Sequence, residues 1–102
     1  MHRWSPSQFE RYIRACCKTP DAIIVSRHAL DRMRERGVTR LMLDESLLRG
    51  RIRRPPEQSI KTGSFECRLE HYVAGQHMAA IAAVSEQFPG LVVVTVMTLE
   101  MT

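Results

Sequence analysis

One short stretch of the chain carries the residue types that acid–base and phosphate chemistry require. His28, Arg32 and Arg36 follow one another at intervals of four residues, and a helix that turns about 100° per residue would place all three in one row. Imidazole takes up and releases protons near neutral pH, and a guanidinium can grip a phosphate with two hydrogen bonds. The row is therefore the first candidate for a functional site.

The sequence marks both ends of the helix that would carry this row. Ser26 can accept hydrogen bonds from the first free backbone N–H groups, as an N-cap does, and Gly37 can take the left-handed conformation that closes a helix. Ala29, Leu30 and Met33 lie on another side of the wheel. This side is apolar and is expected to face the core.

Each polar residue of the row also has an ordinary structural interpretation. His28 can be a helix-start histidine that bonds a backbone group or Asp31. Arg32 and Arg36 can belong to a solvated face that is paired with Asp31 and Glu35. Both interpretations stay open at the level of sequence.

Two further helices are predicted on either side of the row. The first covers Pro6–Cys17, because Ser5 and Gln8 form a capping box around a proline at the first helical position. The second covers Arg40–Arg49, from a Thr39 cap to Gly50, and its leucines surround it so fully that it is expected to be largely buried.

After Gly50 the sequence becomes strand-like. The alternation of apolar and polar residues predicts strands at Arg51–Arg53 and Ser64–Val73, with a loop at Glu57–Gly63 between them. Small residues on both faces predict a strand at His77–Ser85, and β-branched residues predict a central strand at Leu91–Leu99 after a turn at Pro89-Gly90. Pro55-Pro56 ends the first of these strands, which suits a sheet edge. Thr95 and Thr98 are expected to face opposite sides of the last strand.

This order of elements predicts an α+β fold, with two or three N-terminal helices packed on a three- to four-stranded antiparallel sheet. A chain of 102 residues is expected to form a single domain. Residues 1–20 would add an extra helix to a core of residues 22–99.

Composition sets limits on cofactors and location. The three cysteines follow no metal spacing, and Cys67 and His71 on one strand would lie about 13 Å apart, too far to share zinc. We therefore expect no metal and no cofactor. The chain has neither a membrane-length apolar run nor a signal-peptide core, so we expect a cytoplasmic protein without membrane contact.

The row lies in a segment that resembles a known family. The sequence H-A-L-D-R-M-R-E-R-G-V-T at 28–39 is similar to the motif H-A-x-x-R-M-x-x-R-G-[IV]-[ST] of the bacterial family called domain of unknown function 4258. A helix that ends at Gly50 and a late strand that contains Thr95-Val96 also fit this pattern. The resemblance covers about Val25–Thr98.

The family is grouped with RelE/ParE-like and colicin-type ribonuclease toxins. The resemblance therefore implies metal-independent RNA cleavage by a toxin of a toxin–antitoxin or related system. His28, Arg32 and Thr95 match polar positions of the family and are the predicted catalytic residues. Arg36, Arg51, Arg53 and Arg54 are the predicted substrate-binding residues. An antitoxin or immunity protein is the expected partner, and a homodimer is left open.

Other interpretations remain for these residues. Thr95 can be an ordinary strand residue, and it helps chemistry only if its sheet face meets the row. The arginines from Arg49 to Arg54 can be a charged edge that discourages sheet-to-sheet association.

Two other functions are compatible with the sequence. A catalytically silent protein-binding module could use the same scaffold. A helix-turn-helix DNA-binding regulator is also conceivable, because residues 27–50 read helix, turn, helix. Its second helix, however, carries leucines together with Asp44 and Glu45, which suit a DNA groove poorly.

Overall fold

The computed structural model describes residues 1–99 and has the predicted α+β class, with helices packed on a sheet. The helices are α1 (Pro6–Cys16), α2 (Arg27–Arg36) and α3 (Arg40–Arg49), and a 3-10 turn covers Pro20–Ala22. The strands are β1 (Ile23–Val25), β2 (Arg51–Ile52), β3 (Glu57–Gln58), β4 (Phe65–Val73), β5 (Gln76–Ser85) and β6 (Phe88–Thr98). Within the described residues, none of the helices has the length and apolarity needed to cross a membrane.

The three helices begin where their capping residues predicted. The side chains of Ser5, Ser26 and Thr39 each accept a hydrogen bond from the third residue of the following helix. Gly37 closes α2 in the left-handed conformation, at φ 67°. Short-range sequence signals therefore place all three helices to within a residue.

The sheet is larger than predicted and is mixed rather than purely antiparallel. Its order is β1-β6-β5-β4-β2, and the short β3 also pairs with β4. The additional β1 runs parallel to β6, with Ile23 beside Leu91. A three-residue strand is too short to reveal its pairing through alternation. β3 lies in the segment that was predicted to be all loop, and β2 forms the expected edge.

The turn before the last strand lies earlier than predicted. Pro89-Gly90 belongs to β6, and the chain reverses at Glu86-Gln87 instead. Gly90 has a φ of 79°, and a Cβ atom there would lie 2.1 Å from the Ala22 carbonyl oxygen. The glycine therefore serves close contact with the segment before β1 rather than a reverse turn.

The helices cover one face of the sheet, and a single apolar core lies between the two layers. From the sheet, Cys67, Leu69, Met78 and Val96 project into this core. Glu66, Arg68 and Glu70 alternate with these residues on β4, as predicted, and lie on the opposite face. The helical layer therefore leaves the other face of the sheet uncovered, and the polar side chains of β4 lie on that face.

The α1 helix is built into the core. The Phe9 and Ile13 side chains are buried there. The carboxylate of Glu10 is also buried, accepts a hydrogen bond from the Ile52 backbone N–H at 2.8 Å and forms an ion pair with Arg14 at 3.4 Å. These contacts join α1 to β2 at the far edge of the sheet.

The prediction that α3 is largely buried is only half right. Met42, Leu43 and Leu47 are buried, whereas Leu41 is 80% exposed and Leu48 is 44% exposed. One side of this helix faces the sheet, and its other leucines remain in solvent because no described element covers them.

Candidate functional site

The α2 helix presents His28 to solvent. Ala29 and Met33 are buried in the core, and α2 contacts the sheet through β6. His28 follows the N-cap on a side that faces away from the core and is exposed. Among residues 1–99 its imidazole forms no hydrogen bond or ion pair, so the predicted bond to Asp31 or to the backbone is not observed.

The arginines of the row differ in their partners. Arg32 Nη1 lies 2.6 Å from Glu35 Oε2, as the solvated-face interpretation predicted. Arg36 forms no ion pair within residues 1–99, and its Nη1 donates to the Thr98 hydroxyl at 3.4 Å. Neighbouring Arg27 forms an ion pair with Asp31, at 3.6 Å. The carboxylate closest to His28 in sequence therefore already has an arginine as its partner.

Arg36 also lines a depression at the end of the sheet. Its other walls include Tyr72 and His77 from the β4–β5 hairpin and Thr98 from β6, and its volume is about 500 Å³. The row on α2 thus ends at a surface formed by three different strands.

Thr95 lies on the sheet face opposite the helices. It pairs with Ile81 of β5, which in turn pairs with Arg68 of β4. A depression of about 190 Å³ surrounds it, and neither His28 nor Arg32 lines that depression. Its hydroxyl donates to the Val96 carbonyl at 3.4 Å. The condition that Thr95 should meet the α2 row is therefore not fulfilled in this structure.

The arginine rim that was predicted after α3 is divided between different surroundings. Arg51 turns toward α1, where its Nη1 lies 3.7 Å from Glu10 Oε1. Arg54 lines the depression around Thr95, and Arg53 is exposed. The three side chains therefore do not form one continuous phosphate-binding strip with α2.

The sheet face opposite the helices also holds a cluster of charged side chains and a histidine that sequence reasoning missed. Glu70 lies between Arg68 Nε, at 3.4 Å, and His77 Nε2, at 3.8 Å. The Glu70 side chain is only 11% exposed although no helix covers this face. The strand alternation placed Arg68 and Glu70 together, but the pairing of β4 with β5 was needed to bring His77 beside them.

An apolar groove lies on the other side of the molecule. Leu41 and Leu48 of α3 form one wall, Pro20 and Ile23 form the other, and the volume is about 520 Å³. Arg49 lies at its rim and forms no ion pair among the described residues. Within the same residues, no group of three or more His, Cys, Asp and Glu side chains is arranged to hold a metal ion.

A family model described as a domain of unknown function, DUF4258, matches residues 25–98. The chain belongs to the DUF4258 family. The match begins at the end of β1 and ends with β6, so it includes the α2 row, the hairpin and both sheet depressions.

Two other comparisons gave no relative. No curated protein matches the chain, and no solved structure matches it. The function of this DUF4258 protein must therefore be argued from its own side chains.

Proposed function

We propose that this protein is a metal-independent endoribonuclease of the RelE/ParE-like toxin type, with the α2 row as its active site. The α+β arrangement of helices on a sheet is compatible with that type. An antitoxin or immunity protein that covers α2 would block this active site and so protect the cytoplasm in which the enzyme acts.

The observation that carries this proposal is that no hydrogen bond or ion pair within residues 1–99 engages the His28 side chain. In the motif at 28–39, Ala29 and Met33 fill the core, Gly37 ends the helix and Thr39 caps the next one. The imidazole of His28 contacts none of these elements through a hydrogen bond and is open to solvent. A motif residue that folding does not use is a candidate for chemistry.

The chemistry requires a base, a phosphate ligand and a proton for the leaving group. Neutral His28 would remove the proton of a ribose 2′-hydroxyl, and the 2′-oxygen would attack the adjacent phosphorus. The bond from phosphorus to the 5′-oxygen breaks, and that oxygen takes a proton from water. The products are a 2′,3′-cyclic phosphate and a 5′-hydroxyl.

Arg32 would stabilise the negative charge that develops on the phosphate. It lies one helical turn from His28, so both can approach the same phosphate. Only its Nη1 faces Glu35, and a guanidinium has five N–H donors. The remaining donors can bind phosphate oxygens while Glu35 holds the side chain in place.

The test is RNA cleavage by the purified protein in the presence of EDTA. We expect wild-type protein to produce 2′,3′-cyclic phosphate ends, and His28→Ala to lower the rate by about 100-fold or more, the usual contribution of a general base. His2→Ala is the matched control because His2 is a second exposed histidine outside the row. Cleavage that survives in His28→Ala, or binding to a DNA operator without cleavage, would contradict the proposal.

The groove beside α3 favours a second function, a binding module without catalysis. Leu41 and Leu48 are two helical turns apart and would accept an apolar helix stripe. Of the charged residues that line the groove on α3, Arg40 lies 2.9 Å from Asp44 and Glu45 lies 2.8 Å from His71, whereas Arg49 has no ion-pair partner among residues 1–99. The occupant proposed for the groove is therefore an amphipathic helix of a different protein with a carboxylate that meets Arg49. A folded wild-type protein that cleaves no RNA would favour this function.

A further inference from the structure

We propose that the depression between the end of α2 and the β4–β5 hairpin is a nucleotide subsite, in which Tyr72 stacks on one base of the RNA strand and Arg36 binds its phosphate. The inference rests on the proposed function for its ligand, RNA. It joins Arg36, which was predicted to bind substrate, to Tyr72 and His77, which lie outside the motif at 28–39 and have no assigned role.

Tyr72 has the surroundings of a stacking platform. Its ring is on the sheet face without helices and is 58% exposed, which is high for a large aromatic side chain. The ring forms no aromatic pair within residues 1–99, so none of the aromatic side chains described there takes the place of a stacked base. Exposed aromatic rings on a sheet are a recurrent means of holding unpaired RNA bases.

Arg36 provides the positive charge of the subsite. Arg27 and Arg32 on the same helix each face a carboxylate, at 3.6 Å and 2.6 Å. Arg36 has instead the neutral Thr98 hydroxyl as its partner, at 3.4 Å. Its charge is therefore not compensated within the described part of the chain, and a phosphate is the natural ligand for it.

His77 supplies a further polar group to the depression that Arg36 and Tyr72 line. It pairs with Tyr72 across the β4–β5 ladder, and Glu70 Oε1 lies 3.8 Å from its Nε2. The carboxylate favours an orientation in which one ring nitrogen faces Glu70 and the other is left for the ligand. A base edge would hydrogen-bond to that second nitrogen.

The subsite is too far from His28 to act on the same phosphate. Residues 28 and 36 are eight positions apart, which corresponds to about 12 Å along a helix. The nucleotide on Tyr72 is therefore a neighbour of the cleaved one, and the depression contributes binding rather than proton transfer. A substitution there should raise KM and leave kcat nearly unchanged.

The test separates binding from cleavage by using a short RNA that is 2′-O-methylated at every position and thus has no 2′-hydroxyl to attack. Its affinity is measured by fluorescence anisotropy of a label on the RNA. Tyr72→Ala should weaken binding by roughly 5- to 100-fold, and Tyr72→Phe, which keeps the stacking face, should stay within about twofold of wild type. Arg36→Ala should weaken binding more than Arg27→Ala, a matched arginine whose charge is already paired.

Each outcome decides one of the two proposals. Equal affinities of wild type and Tyr72→Ala, with circular dichroism showing that both are folded, would overturn the subsite, as would failure of the wild type to bind the methylated RNA. Binding that depends on Tyr72, in a protein that cleaves no unmodified RNA, would support the subsite and reject the nuclease. RNA cleavage that depends on His28, with the same KM in Tyr72→Ala as in wild type, would support the nuclease and reject the subsite.

Discussion

At the scale of single residues, two histidines of this chain stand in opposite surroundings. His28 is exposed and without a partner among the described residues, so its environment alone does not orient it. His77 is half-buried and lies 3.8 Å from Glu70. An exposed imidazole depends on the substrate for orientation, whereas one beside a carboxylate is oriented before the ligand arrives. We assign proton transfer and ligand binding to separate places because residues 28 and 36 lie about 12 Å apart along α2.

Burial also changes the chemistry of Cys67. Burial raises the pKa of the Cys67 thiol to about 12, whereas a cysteine thiol in the unfolded chain has a pKa of about 8.5. The folded protein therefore keeps a proton that the unfolded chain has already lost, and we expect the free energy of unfolding to fall as the pH rises above about 8.5, with Cys67 alone contributing at most about 1.4 kcal/mol per pH unit. Burial raises the pKa of Tyr12, Cys16 and Cys17 in the same direction.

Urea unfolding between pH 7 and pH 10 checks this expectation. In Cys67→Ala the decline with pH should be shallower than in wild type, because one of the buried thiols is gone. A free energy of unfolding that stays constant up to pH 10 in wild type would contradict the expected proton linkage.

At the scale of elements, the sequence predicted best what depends on neighbours along the chain. The caps at Ser5, Ser26 and Thr39 and the alternation in β4 are local signals, and each placed its element correctly. β1 and the contact of Arg36 with Thr98 depend on residues more than 60 positions apart. No local pattern encodes such contacts, and for this reason the row was foreseen while the depression at its end was not.

Gly90 shows how one long-range contact fixes the position of an element. Gly63 and Gly90 both have positive φ angles, 74° and 79°, but only at Gly90 would a Cβ atom collide with the backbone, at 2.1 Å from the Ala22 oxygen. Alanine at either position would have to adopt a left-handed backbone conformation, which is unfavourable for a residue with a Cβ atom. We expect Gly90→Ala to lower the free energy of unfolding by about 1–3 kcal/mol more than Gly63→Ala, since the segment before β1 must move. Guanidinium unfolding of the two variants measures the difference, and equal losses would contradict the contact.

At the scale of the whole molecule, the core extends beyond the residues that the family model matches. That match begins at residue 25, yet Phe9 and Ile13 of α1 belong to the same buried cluster as Leu43 and Leu47 of α3. Arg14 also donates to the carbonyls of Leu48 and Gly50, at 2.7 Å and 3.1 Å, where α3 ends. The helix expected to be an extra addition is therefore joined to the core by apolar packing and by hydrogen bonds at once.

This arrangement predicts that α1 and the sheet unfold together. Trp4, the single tryptophan, packs against the buried core as well as against the Phe9 and Tyr12 rings of α1, at 5.2 Å and 5.8 Å. Its fluorescence therefore reports the docking of α1 on the core, while far-UV circular dichroism reports all the elements. The two signals should share one denaturation midpoint, as expected for a cooperative unit.

The Ile13→Ala substitution should shift both midpoints equally, with a loss of about 2–4 kcal/mol in the free energy of unfolding for a buried isoleucine. The Ile60→Ala substitution, at a fully exposed position, should shift neither midpoint. A tryptophan transition that precedes the circular dichroism transition would mean that α1 detaches first and that the region matched by the family folds without it.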